Sequence, residues 1–309
     1  MGYGYGYGYG YGYGYGYGGG AASGGGSFKN MPAELGPKPW TLDYTPDQNT
    51  GVPDLPQNKL SGVDGAGVPW KYPRTLWDPA LRAGIALTQF ALEFAKWKDL
   101  DTLPAGNPLL LDPAKELNWQ ANDAYTQGEL DYLLALMADD RDRYMPEILA
   151  QADGAPVYWL QLLEIGGGEK PGTHALINFA QRAGEMAALH FKDRYQRVRP
   201  STLCPGLLLP FGPPRHPAFP SGHSLTGHLT SLLLCEIAKV KNSKGAELLW
   251  LADRVAKNRE RAGLHYPSDS VAGAKLAAQI HKALLGTGLP KIISAEFAVI
   301  LADAQNEWP

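Results

Sequence analysis

The residues of this chain best suited to chemistry are basic side chains, histidines and an aspartate that lie between positions 192 and 269. Lys192 and Arg199 come first, at the end of a helical pattern that Pro200 helps to terminate. Cations near a helix C-terminus usually do no more than complement the helix dipole. Alone, this pair predicts only a basic helix end.

A helix start suited to anions follows a proline-rich loop. In the run Pro-Ser-Gly-His, which opens an apolar helical segment, Ser221 is predicted to be the N-cap and His223 lies in the first turn. Gly222 lets the backbone approach a ligand closely. Free N–H groups, the helix dipole and the Ser hydroxyl together predict an oxyanion seat. The alternative is an ordinary capped helix with a surface histidine.

A third element places a histidine between two helices. Arg259 lies near the end of one helical pattern, and His265 follows in a connection that ends where Pro267 begins the next helix. Asp269, in the first turn of that helix, can accept the Nδ1 proton of His265. Nε2 is then free to attack phosphorus or to ligate a metal oxoanion. The alternative is a satisfied loop histidine and a helix-capping aspartate.

In this order, the three elements resemble the signature of the type 2 phosphatidic acid phosphatase and vanadium haloperoxidase superfamily. That signature is Lys-x6-Arg-Pro, then Pro-Ser-Gly-His, then Ser-Arg-x5-His-x3-Asp. The resemblance covers Lys192 to Asp269, with Asn258 in place of the usual Ser. Because Asn258 is a neighbour of the site, we expect the change to affect fine tuning more than chemistry.

The resemblance implies a role for each matched residue. It implies that His265 is the nucleophile, that Asp269 orients it, and that His223 protonates the leaving group and then activates water. The oxygens of the transferring phosphoryl group would be bound by Lys192, Arg199, Arg259, Ser221 and the N–H of Gly222.

Such a cradle could serve either of two reactions. It could hydrolyse phosphate monoesters without a cofactor, or hold vanadate on His265 and oxidise halide with peroxide. His216 lies where bromoperoxidases of the superfamily carry a second histidine, and it is a candidate accessory residue. However, the run Lys-x-Arg-Tyr-x-Arg-x-Arg-Pro is similar to that of soluble bacterial acid phosphatases, and typical haloperoxidases are longer. We therefore predict a phosphatase, with a vanadium haloperoxidase as the alternative.

These residues must be positioned by helices, which the periodicity of the sequence predicts. Apolar residues recur at helical spacing over 78–99, 126–150, 155–165, 173–193, 221–239, 244–263, 267–285 and 294–303. No convincing strand pattern occurs among them. The sequence therefore predicts an all-α helical bundle as the catalytic domain, over 76–288, followed by a C-terminal segment, 289–309.

The N-terminal part has a different composition. Residues 1–27 form a low-complexity tail in which Gly alternates with Tyr, and residues 28–75 are predicted to form an extended, loop-rich arm. In an extended strand the tyrosines would project from one face, so the tail could mediate self-association into oligomers or filaments. The alternatives are a flexible tail, and a chiefly structural protein that self-assembles through it.

Composition limits the classes of partner. With 309 residues and a net charge of -3, the chain has no electrostatic footprint for nucleic acid, so any anion site must be local. The most apolar stretch, Leu225–Val240, is interrupted by His228 and Glu236 and falls short of the ~18 apolar residues of a membrane span. We expect a soluble enzyme for a small phosphate ester. No secretory signal is evident, although one could have been removed, so a periplasmic or extracellular location and a cytoplasmic one both stay open.

Overall fold

In a computed structural model of the chain, the residues described are 77–95, 123–166, 168–287 and 291–309. Within these ranges every regular element is a helix, which confirms the predicted all-α class. None of the helices described is both long enough and apolar enough to cross a membrane. The predicted tail and arm lie outside the described residues.

The helices are numbered here in chain order. They are α1 (Pro79–Phe94), α2 (Asp123–Asp139), α3 (Arg141–Gly154), α4 (Val157–Leu162), α5 (Pro171–Tyr195), α6 (Pro200–Leu203), α7 (Gly222–Leu234), α8 (Ala238–Arg261), α9 (Pro267–Leu284) and α10 (Ala295–Asn306). A short 3-10 turn, Pro205–Leu207, follows α6.

Two predicted helix boundaries are wrong. The helix predicted over 126–150 is divided into α2 and α3 at Asp140, whose φ of -131° leaves the helical region. The break predicted between 239 and 244 does not occur, because α8 already begins at Ala238. The polar residues 241–243 lie on the exposed face of α8. Polarity there reflects contact with solvent, not the end of a helix.

The centre of the bundle is α7, which packs against α5, α8 and α9. Glycines on two of these neighbours permit close approach. A Cβ atom on Gly273 of α9 would lie 2.7 Å from the carbonyl oxygen of Ser221, and one on Gly184 of α5 would lie 2.7 Å from Leu225 Cδ2. Because glycine has no Cβ, both helices can approach the N-terminal half of α7. The start of α7 is thereby enclosed on two sides.

Outer helices cover this centre. Helices α1 and α10 pack on α5, and α3 packs on α8. The buried Arg82 of α1 connects the first two, since its Nε lies 3.6 Å from a carboxylate oxygen of Glu296 and its NH2 lies 2.5 Å from one of Asp303. Helices α1 and α10 thus pack against each other as well as on α5.

Candidate active site

The predicted oxyanion seat is the N-terminus of α7. As predicted, Ser221 is the N-cap residue, and its hydroxyl accepts a hydrogen bond from the backbone N–H of Ser224. The N–H of Ser221 itself donates to the carbonyl of Asp269 at 2.9 Å, which joins the starts of α7 and α9. A Cβ atom on Gly222 would meet nothing within 4 Å. No side chain therefore packs against this side of the Gly222 backbone, as close approach of a ligand would require.

His265 lies in the connection between α8 and α9 and is only 4% exposed. Its Nδ1 lies 3.2 Å from Asp269 Oδ2, and its Nε2 lies 3.1 Å from a guanidinium nitrogen of Arg199. Arginine can only donate, so Nε2 must be the acceptor and Nδ1 must carry the proton. Burial, and then the positive charge of Arg199, hold the pKa of His265 well below its usual value. The imidazole is therefore neutral, with its lone pair on Nε2.

The two cations of the first motif are held differently from the prediction. Helix α5 ends at Tyr195, because Gln196 adopts a left-handed conformation with a φ of 51°. Lys192 is in the last turn of α5, but Arg199 lies beyond the helix in extended backbone and precedes α6. Termination therefore occurs at Gln196, before Pro200 is reached.

Lys192 and Arg199 are both buried and both reach across to other loops. Lys192 Nζ donates to the carbonyls of Pro217 and Ala218 at 2.8 and 2.9 Å. Arg199 donates to the carbonyl of Leu264 at 2.7 Å. Burial, and then repulsion by Arg199, hold the pKa of Lys192 well below its usual value. The two cations thus bring the loop before α7 and the loop before α9 to the same place.

His216 lies beside this pair. Its Nδ1 is 3.0 Å from Arg199 NH2, and its carbonyl accepts a hydrogen bond from Arg199 Nε at 3.1 Å. Burial, and then the charges of Lys192 and Arg199, lower the pKa of His216 to about 4. A neutral imidazole therefore lies at the edge of the cluster of cations.

Arg259 and His223 form the other side of the site. Arg259 is in the last turn of α8 and donates to the carbonyl of Ile148 at 2.6 Å. His223 Nε2 lies 3.1 Å from the carbonyl oxygen of Gln151, which can only accept, so Nε2 carries the proton and Nδ1 holds the lone pair. Burial, and then the charge of Arg259, lower the pKa of His223 to about 3. A charge on His223 would also lower the pKa of His265.

The nine residues predicted from the sequence therefore fall in one region, which holds three cations and neutral histidines. Residues 173–287, which contain all of them, match the PAP2 superfamily. This match is consistent with the resemblance to the type 2 phosphatidic acid phosphatase and haloperoxidase superfamily. Members of that superfamily are generally phosphatases or other hydrolases, which supports a phosphoesterase type of activity. No curated protein sequence matches the chain.

One buried group beside the PAP2 signature was not anticipated from the sequence. Gln151 of α3 is fully buried, and its side-chain carbonyl accepts a hydrogen bond from Asn258 Nδ2 at 2.9 Å. Its amide donates to Glu147 at 2.8 Å, and its backbone carbonyl contacts His223. Asn258, the departure from the signature, thus holds the residue that contacts His223. Nothing in the local pattern of α3 indicates this contact.

Proposed function

We propose that the PAP2 segment hydrolyses phosphate monoesters through a phosphohistidine on His265. The observation that carries this proposal is the state of the His265 ring. Its Nδ1 proton points to Asp269 at 3.2 Å, so the lone pair is on Nε2, where it accepts a hydrogen bond from Arg199 until a bound phosphate takes up that donor. A neutral, oriented imidazole next to a cation is the arrangement that nucleophilic attack on a phosphoryl group requires.

Two displacement steps follow from this arrangement. In the first, His265 Nε2 forms a bond to phosphorus while the ester P–O bond breaks, and the leaving oxygen takes a proton from His223. In the second, a water oxygen attacks phosphorus, the P–N bond breaks, and the water proton passes to Nδ1 of His223. The histidine is then protonated again and the cycle is closed.

The cations supply the electrostatic part of the proposal. Lys192, Arg199 and Arg259 are each 6% exposed or less, so their charges act in a medium of low dielectric. In the transition state the negative charge is spread over the three equatorial oxygens of the phosphoryl group, and fixed donors that are already desolvated stabilise it there. The net charge of the chain is -3, so this attraction for anions is confined to the site.

His223 must change its protonation state in this scheme. Without a ligand it is neutral, because burial and Arg259 lower its pKa to about 3. A phosphate ester brings negative charge to the same cations and offsets their repulsion of a second positive charge. Substrate binding is therefore expected to promote protonation of the group that must donate the proton.

A second candidate function is supported by one contact. His216 lies 3.0 Å from Arg199, so a second imidazole borders the same cradle. Vanadate has the geometry of the phosphoryl-transfer transition state, and His265 with the three cations would hold it. When bound, it would activate peroxide for halide oxidation. We rank this function second, because superfamily members are generally phosphatases.

The test is replacement of the nucleophile. His265→Ala is expected to abolish hydrolysis of p-nitrophenyl phosphate and to eliminate the phosphoenzyme trapped by rapid denaturation at alkaline pH. Folding is expected to survive, since His265 lies between helices. The matched control is His281→Ala, which removes another histidine paired to a carboxylate, Glu236 at 2.9 Å, away from the cradle. Near-normal turnover in His265→Ala would overturn the proposal.

A further inference from the structure

The contacts of His265 continue beyond Asp269 to a buried ion pair. Arg197 is 1% exposed, and its NH1 lies 2.6 Å from Asp269 Oδ1 while its NH2 lies 2.7 Å from Glu129 Oε2. Glu129 belongs to α2 and lies before residue 173, outside the segment that matches the PAP2 superfamily. A buried chain of contacts therefore runs from His265 through Asp269 and Arg197 to a different part of the molecule.

The geometry of this chain is fixed at several points. The Arg197 guanidinium lies 3.7 Å from the centroid of the Tyr266 ring and donates to Ser268 Oγ at 2.7 Å. Glu129 Oε1 accepts a hydrogen bond from the N–H of Ser268 at 2.8 Å. Glu129 thus holds both Arg197 and the first turn of α9, which carries Asp269. These contacts fix the Arg197 guanidinium, which in turn holds Oδ1 of Asp269 at 2.6 Å.

Both oxygens of that carboxylate are engaged. Oδ2 accepts from His265 Nδ1 at 3.2 Å and from the N–H of Tyr266 at 3.0 Å, and Oδ1 accepts from Arg197. Taken alone, the Arg197 charge would cancel that of Asp269 and weaken its attraction for a cationic His265. Buried charges interact strongly, so this cancellation would matter to catalysis.

The negative charge of Glu129 offsets the positive charge of Arg197, so the charge of Asp269 is no longer cancelled. Asp269, Arg197 and Glu129 together carry one net negative charge. When Nε2 of His265 bonds to phosphorus and the ester P–O bond breaks, Nδ1 keeps its proton and the ring becomes positive. The buried group of four residues is then neutral, which is the state that burial favours.

We propose that Glu129 is a positioning residue for phosphoryl transfer, which acts through Arg197 and Asp269. It orients the Asp269 carboxylate and supplies the negative charge that balances the phosphorylated His265. The inference rests on the proposed function, because it concerns a charge that forms on His265 only during that reaction. It assigns a catalytic contribution to α2, which lies outside the superfamily match.

The experiment compares two variants of Glu129. Glu129→Gln keeps the size of the side chain and removes its charge, whereas Glu129→Asp keeps the charge and shortens the reach. We expect kcat/KM for p-nitrophenyl phosphate to fall by about 10- to 100-fold in Glu129→Gln, by analogy with residues that orient the ligands of a metal through a hydrogen bond. Glu129→Asp is expected to retain more activity than Glu129→Gln. A purely structural role predicts the opposite order.

A matched control separates charge balance from general loss of a buried ion pair. Glu296→Gln removes a buried carboxylate that lies 3.6 Å from the buried Arg82, in helices that do not carry the cradle. It is expected to leave kcat/KM unchanged, which would show that loss of a buried carboxylate does not by itself lower activity. The melting temperatures of both variants are measured alongside.

Two results would overturn the inference, and they are distinguishable. If the wild-type protein forms a phosphoenzyme and Glu129→Gln forms it at the same rate, Glu129 has no part in the reaction. If the wild-type protein forms none at all, the proposed function fails and this inference fails with it. A slower phosphoenzyme, restored in part by Asp, supports the assignment.

Discussion

Binding of an oxyanion is expected to protonate His223, and this linkage is the most demanding consequence of the site's charges. In the unliganded site the pKa of His223 falls from 6.5 to about 3. That depression corresponds to about 5 kcal/mol, at about 1.4 kcal/mol for each tenfold change in proton affinity. Burial is its largest cause, and the charge of Arg259 follows. A bound anion offsets the effect of the Arg259 charge but not the effect of burial.

The expected rise in the proton affinity of His223 depends on how much of the lowering is due to nearby positive charge. Phosphate at the cradle cancels part of the repulsion from Arg259 and Lys192 but leaves His223 buried. We therefore expect its proton affinity to rise at least tenfold, or about 1.4 kcal/mol or more. Linkage is reciprocal, so phosphate should bind more tightly as the pH falls and His223 takes up its proton.

Proton NMR of the histidine ring signals between pH 5 and 8 measures this directly. His223→Gln identifies the resonance. Without phosphate the His223 signal should stay constant over this range, and with saturating phosphate it should begin to shift at the acid end. A His223 signal that titrates with an ordinary pKa in the unliganded protein, or that ignores phosphate, would refute the electrostatic account of the site.

Lowered histidine pKa values also predict how the free energy of unfolding depends on pH. The pKa values of His216 and His223 are lowered to about 4 and about 3 in the folded protein. Between those values and 6.5 the unfolded chain binds more protons, so the free energy of unfolding falls as the pH is lowered through this window. Thermal melts at pH 7 and pH 5 should show this loss, and phosphate should reverse part of it. A melting temperature that does not change between these pH values would contradict the shifts.

Four further predictions follow from individual features of the chain. Arg199→Ala removes a charge-assisted contact, so turnover should fall about a hundredfold, or ~3 kcal/mol, with only partial rescue by Lys; unchanged kcat/KM would refute the anion role. Vanadate should inhibit competitively, and the vanadate-loaded protein should brominate a phenol dye poorly; efficient bromination that is lost in His216→Ala, with negligible phosphatase activity, would reverse the ranking of functions. Gly273→Ala places a Cβ atom 2.7 Å from the carbonyl oxygen of Ser221, so the free energy of unfolding should fall by about 1–3 kcal/mol in a denaturant titration. Gly212→Ala is the control, because a Cβ atom there meets nothing within 4 Å. If the tail mediates self-association, deletion of residues 1–20 should shift the size distribution measured by light scattering to smaller species, whereas a flexible tail predicts an identical monomeric profile for both forms.

The local part of the site could be predicted from the sequence. Capping by Ser221, the start of α9 at Pro267 and the contact between His265 and Asp269 all involve residues a few positions apart. Helical geometry and the preferences of individual residues at helix ends determine such contacts, so spacing along the chain is enough to predict them. The all-α class follows from the same periodicity.

Tertiary structure decided the contacts that determine protonation and charge. Gln151 meets His223 across 72 positions of the chain, and Glu129 meets Arg197 across 68. No periodic pattern marks such pairs, because a polar residue inside an amphipathic helix can equally face solvent. The hydrogen bond of Asn258 could not be predicted for the same reason, since its partner Gln151 lies on another helix. The sequence determined which groups could react, and the packing of α2 and α3 decided which of them are oriented and charged.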